Sequence, residues 1–68
     1  MKNYEVTIES KKGDRFKYNI SLIVAADNAT QAKDFAVEIA MADETIDKGT
    51  RAWLSYKGHR KITASVTE

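Results

Sequence analysis

An α+β fold of ββαββ order, with four largely antiparallel strands and one helix packed on one face, follows from three features of the chain. Apolar and polar residues alternate near both ends, at Tyr4, Val6 and Ile8 and again at Ile62, Ala64 and Val66. Between them Ala32, Phe35, Ala36, Ile39 and Ala40 recur three and four residues apart. Two segments of the same form, Ser10-Lys11-Lys12-Gly13-Asp14-Arg15 and Ser55-Tyr56-Lys57-Gly58-His59-Arg60, mark two hairpin turns. Period two denotes a strand with one buried face, and the three/four spacing denotes a helix with one buried stripe.

The first strand is predicted over about 3 to 10 and the second over about 15 to 25, where Phe16, Tyr18, Ile20, Leu22 and Val24 share one face. Directly opposed residues of a hairpin lie on the same face, so pairing Ser10 with Asp14 keeps both apolar sets together. It leaves Lys11-Lys12-Gly13 as a three-residue loop whose last position, Gly13, suits left-handed backbone.

Asn28 followed three residues later by Gln31 forms a capping box, with Asp27 as a substitute cap, and opens a helix of about 29 to 42. The face carrying Phe35 and Ile39 covers the sheet, which places Val37 and Met41 on the opposite side, framed by Asp34, Glu38 and Glu44. The polar stretch from Asp43 to Gly49 is a frayed last turn and connection, with Ile46 tucked inward. Alternation then sets Ala52 and Leu54 in a third strand and Ile62, Ala64 and Val66 in a fourth. Pairing Ser55 with His59 closes the second glycine turn. Strand order stays open at this level: strand one or strand four at the centre of an antiparallel sheet, or a meander with a central parallel pair.

With 68 residues the chain forms one small domain, residues 1–68, which buries about 60% of its unfolded surface and has no room for a large enclosed active site. Its 43% hydrophobic content supports a folded core. Without cysteine it has neither disulfides nor thiolate metal sites. Its longest apolar stretch, Leu22 to Ala26, falls far short of the roughly 20 residues that span a bilayer. These features predict a cytoplasmic protein, in the host cell if it is foreign, with no membrane partner.

No catalytic constellation is predicted. The single histidine, His59, has no neighbouring carboxylate, and Asp14 belongs to the other turn, roughly 25 Å away along eight strand residues. Asp43, Glu44 and Asp47 cluster without the spacing of a metal loop, and the isolated glycines make no phosphate cradle, so neither metal nor cofactor is expected. Acids at a helix C-terminus oppose the macrodipole, which leaves their presence there to be explained.

Two interaction classes remain. Residues 48 to 61 carry Lys48, Arg51, Lys57, Arg60 and Lys61 with Trp53, Tyr56 and His59 interleaved and no acid, a composition that can hold phosphate and stack on bases. A net charge of only +1 weakens the long-range attraction that nucleic-acid binding uses. For protein docking, the third strand sets Trp53 on the open sheet face beside Arg51, Lys61, Thr63 and Ser65, with Ile23 joining from strand two. Trp and Arg dominate interface hot spots. Val37 and Met41 offer a second contact surface, and the sheet edges or the Trp53 face offer routes to a homodimer. The partner-binding residues are therefore Arg51, Trp53, Tyr56, Lys57, Arg60, Lys61, Val37 and Met41.

Tyr4 to Ser10, Ile20 to Ala26 and the helix spaced by Ala32, Ala36 and Ala40 resemble in layout the small RNA-polymerase inhibitors of short-tailed coliphages: a strand hairpin, a helix and a further strand. Anti-CRISPR proteins of phages are similar in size and layout. The resemblance covers about residues 4 to 42 and carries over no contact residue. It implies a phage or mobile-element accessory protein that binds and inhibits a host protein or protein complex, a non-enzymatic protein-interaction module. A small nucleic-acid-binding protein using the C-terminal hairpin is the alternative.

Overall fold

The computed structural model describes residues 1–13, 15, 17–56, 58 and 60–67. Their order is β1 (Lys2–Ser10), β2 (Asn19–Ala26), α1 (Ala29–Ala42), α2 (Lys48–Leu54) and β3 (Arg60–Thr67). The fold is α+β, with an antiparallel sheet of three strands in the order β2-β1-β3. The first strand of the chain is thus the central one, one of the orders the sequence left open.

Parity holds throughout the sheet. Tyr4, Val6 and Ile8 oppose Val24, Leu22 and Ile20 on one side and Val66, Ala64 and Ile62 on the other. Val6, Ile8 and Ala26 are fully buried, and Tyr4 and Val24 nearly so. The register of the first hairpin differs from the expected one: the Ser10 N–H donates to the Tyr18 carbonyl at 3.1 Å, so Ser10 lies opposite Tyr18 and not Asp14. Asp14 and Phe16 themselves lie outside the described residues. The shift of four is even, which leaves every side chain on its expected face. It also pairs the apolar run through Ala26 with Lys2, where the shorter loop would have left residues 23–26 overhanging. Gly13 keeps its role, with φ at +92°, a conformation L side chains rarely adopt.

Helix α1 has the predicted bounds and cap. Asn28 Oδ1 accepts from the Gln31 N–H at 2.8 Å, while Gln31 Oε1 reaches back to the Asp27 N–H at 2.7 Å, one residue before the cap. Its buried stripe is Ala32, Ala36, Val37 and Ala40. The helix is therefore rotated from the expected face: Val37 points in, while Phe35 is 37% and Ile39 51% exposed. Small residues explain the rotation, because an alanine stripe lets the helix axis approach the sheet more closely than a Phe–Ile stripe would.

The expected third strand is a second helix. Alternation over 52–54 rests on only two apolar residues, whereas Thr50 and Leu54, four apart, are the buried pair of α2. Asp47 starts it: Oδ2 accepts the Thr50 N–H at 2.9 Å and Oδ1 accepts the Thr50 hydroxyl at 2.6 Å. Leu54 is fully buried in the same core as Tyr4 and Ala36, and Ile46 packs against that core as expected. With α2 in place of a strand, no second hairpin forms among the described residues. Ser55 closes the last turn of α2, whereas Ser10 ends β1, so the two glycine segments begin on different elements. α1 packs on one face of the sheet and α2 packs against α1 with Leu54 in the same core, and among the described residues nothing covers the other face. Among the described residues no helix is long and apolar enough to cross a membrane.

Candidate interaction surface

The residues singled out for binding divide among four places. Arg51 and Trp53 lie on α2 and not on the open sheet face. Trp53 is half-buried and meets Tyr56 edge-on, with ring centroids 5.9 Å apart and planes at 78°. Such edge-to-face pairs hold both rings in a fixed geometry. Tyr56 itself is 54% exposed.

Arg60 opens β3 but reaches back to α2, where Nη1 donates to the Leu54 carbonyl at 2.6 Å. A guanidinium at a helix C-terminus satisfies a terminal carbonyl and complements the negative end of the dipole. The Ser55 hydroxyl and the Ser55 and Tyr56 N–H groups bond the carbonyls of Ala52 and Trp53 in the same turn. Arg51, Trp53, Tyr56 and Arg60 are thus gathered on or around the last turn of one seven-residue helix, on the helical side of the molecule.

Lys61 is separated from them. Its odd register position puts it on the bare sheet face, opposite Glu9. Ser65, Glu5 and Ile23 form another row on that face, and Thr63, Thr7 and Ser21 a third, where the Thr7 and Ser21 hydroxyls are 3.2 Å apart. The expected patch uniting Trp53 with Lys61, Thr63, Ser65 and Ile23 therefore does not form, because α2 carries Trp53 to the other layer. Lys57, like His59, lies outside the described residues. Val37 is buried beneath α1 and offers no contact surface, while Met41 is 40% exposed on its own.

The acidic cluster has a local explanation. Asp43 Oδ1 accepts the Thr45 hydroxyl at 2.6 Å and the Thr45 N–H at 2.9 Å, and Asp47 caps α2. The two carboxylates order the connection between the helices, a role that the macrodipole of α1 alone would not suggest. Hydrogen bonds from the Thr45 hydroxyl and N–H hold the Asp43 carboxyl below its ordinary 3.8, with a smaller contribution from Arg51. Those from Thr50 do the same for Asp47. A lowered native pKa stabilises the fold above the unfolded value, and that contribution is lost as pH falls through the native one. We expect the denaturant midpoint to fall on acidification below about 3.8. Asp47→Asn, which keeps a capping acceptor, should flatten part of that acid limb; midpoints measured across pH check this.

Among the described residues there is no group of three or more His, Cys, Asp or Glu side chains placed to hold a metal ion, and no cavity opens among them. Neither family models, curated proteins nor solved structures match this chain, so its surface chemistry carries the functional argument.

Proposed function

We propose that the chain is a non-enzymatic protein-interaction module whose contact surface is the end of α2, formed by Arg51, Trp53, Tyr56 and Arg60. The observation that carries this is the Trp53–Tyr56 pair, two rings fixed edge to face with the Tyr56 side more than half exposed. A rigid aromatic anchor loses little entropy on docking, and Tyr, Trp and Arg are the residue types that concentrate binding energy at interfaces. The layout shared with small phage inhibitors suggests the class: an accessory protein of a phage or mobile element that binds and inhibits a host macromolecular machine.

Direct nucleic-acid binding is the competing outcome. Its basic residues are dispersed, with Arg60 engaged at the Leu54 carbonyl and Lys61 on the other face. The test is capture from bacterial lysate by the tagged chain and by Tyr56→Ala, at low and high salt, with and without nuclease. We expect a stoichiometric protein that survives both treatments and is lost from the variant, whose circular dichroism stays native. Recovery of nucleic acid alone, lost as salt rises, would transfer the function to phosphate recognition. A protein retained equally by Tyr56→Ala would remove the α2 surface from the account.

A further inference from the structure

The two edges of the sheet are built differently. β3 opens on Arg60 and Lys61, charges that discourage pairing with another chain. β2, Asn-Ile-Ser-Leu-Ile-Val-Ala-Ala, has no charge, no proline and no glycine over its eight residues, and its register with β1 runs without a bulge. The Ser10 N–H bond to the Tyr18 carbonyl fixes the phase of that ladder. By the alternation of antiparallel pairs, even-numbered residues of β2 turn their backbone toward β1, and Asn19, Ser21, Ile23 and Ala25 turn theirs outward. Among the described residues no strand pairs with them.

We propose that this edge is the seam of a homodimer, in which β2 pairs antiparallel with β2 of a second copy to give a continuous six-stranded sheet. A two-fold axis between antiparallel strands opposes residues of the same face, so the paired numbers must sum to an even value. The sum of 44, with the axis at Leu22, sets Ile20 against Val24, Ser21 against Ile23 and Asn19 against Ala25 of the second copy. It also sets Lys17 against Asp27 at both ends, two oppositely charged pairs flanking a neutral strand. Moving the axis to Ile23 separates these charges, and moving it to Ser21 sets Asp27 opposite Arg15 but leaves Lys17 opposite Ala25. The sum of 44 therefore has both charge complementarity and pairing of all four outward-facing residues.

The same pairing covers exposed apolar side chains. Ile23, 59% exposed on the bare face, lies diagonally across from its own copy. A β2–α1–β3 crossover of the usual right hand sets the Phe35–Ile39 flank of α1 toward the β2 edge and the Val37 flank away from it. Burial of Val37 and exposure of Phe35 and Ile39 agree with that placement. Two such flanks approach one another above the seam.

Sedimentation of the purified full chain across the micromolar range tests this without reference to any other partner. We expect a reversible monomer–dimer equilibrium. Ile23→Pro removes one outward N–H at an edge position and should give a folded monomer. Lys17→Asp or Asp27→Lys alone sets like charges together at both ends and should weaken the dimer by about tenfold, and the double reversal should restore it. A chain that stays monomeric throughout, a dimer insensitive to Ile23→Pro in its folded form, or a double reversal that fails to restore association would overturn the proposal.

Discussion

Leu54→Ala should destabilise the fold by about 2–5 kcal/mol, measured by chemical denaturation with circular dichroism. For a chain of 68 residues the whole stability is roughly 3–10 kcal/mol, so this one truncation removes a large share of it. Leu54 is among the three largest fully buried side chains, and it is the only large apolar residue with which α2 reaches the core. A helix of seven residues is too short to persist without tertiary anchoring. Losing Leu54 therefore frees α2 along with it, and with α2 go the Trp53–Tyr56 pair and the carbonyl that Arg60 bonds. Phe35→Ala is the control. Phe35 is partly exposed on the flank of α1, and its truncation should cost under about 1 kcal/mol, although the sequence pattern alone predicts a core residue at that position. Equal losses for the two variants would show that α1 packs through its Phe35 face after all.

The contrast between these two positions shows where sequence patterning is sufficient. The parity of each strand was legible, because burial of alternate residues is a local consequence of backbone geometry and any one-residue slip would expose Val6 and Ile8. The cap at Asn28 was legible for the same reason, since the groups that satisfy the first turn lie within three residues. Register and helix rotation were not. An even shift leaves the pattern unchanged, so Ser10 can meet Asp14 or Tyr18 at equal local cost, and the choice falls to how far the apolar run through Ala26 finds a partner. On α1, apolar residues occupy both flanks of the alanine stripe, Phe35 and Ile39 on one and Val37 on the other, so spacing alone leaves the rotation undecided. The strand expected over 52–54 failed on a short window. Asp47 with Thr50 carries the helix-start signal, but in the sequence the neighbouring acids Asp43 and Glu44 mask its capping role. The candidate surface shifts for the same reason, since Trp53 moves from the sheet to the helical layer with α2.

Removing β3, by ending the chain after Tyr56, should abolish cooperative unfolding altogether. β1 is the central strand, with Val6 and Ile8 flanked by Leu22 and Ile20 on one side and by Ala64 and Ile62 on the other. Taking β3 away leaves a two-stranded hairpin, which is marginal in water, and strips one side of two fully buried strand positions, Val6 and Ile8. The ladder bonds from Asn3 to Glu9 lose their partners, each a net contribution of about 0.5–1.5 kcal/mol. The Arg60 bond to the Leu54 carbonyl disappears as well, so the anchor of α2 is weakened at its C-terminal end. Together these losses equal or exceed the stability expected of the whole domain. A proton–nitrogen correlation spectrum of the shortened chain should therefore collapse to the narrow dispersion of an unfolded polypeptide. Addition of a peptide spanning 57–68 should restore dispersion if β3 contributes only its pairing and side chains. A shortened chain that keeps a dispersed spectrum and a sigmoidal melt would mean that β2, α1 and α2 form a sufficient core around β1, with β3 an accessory edge.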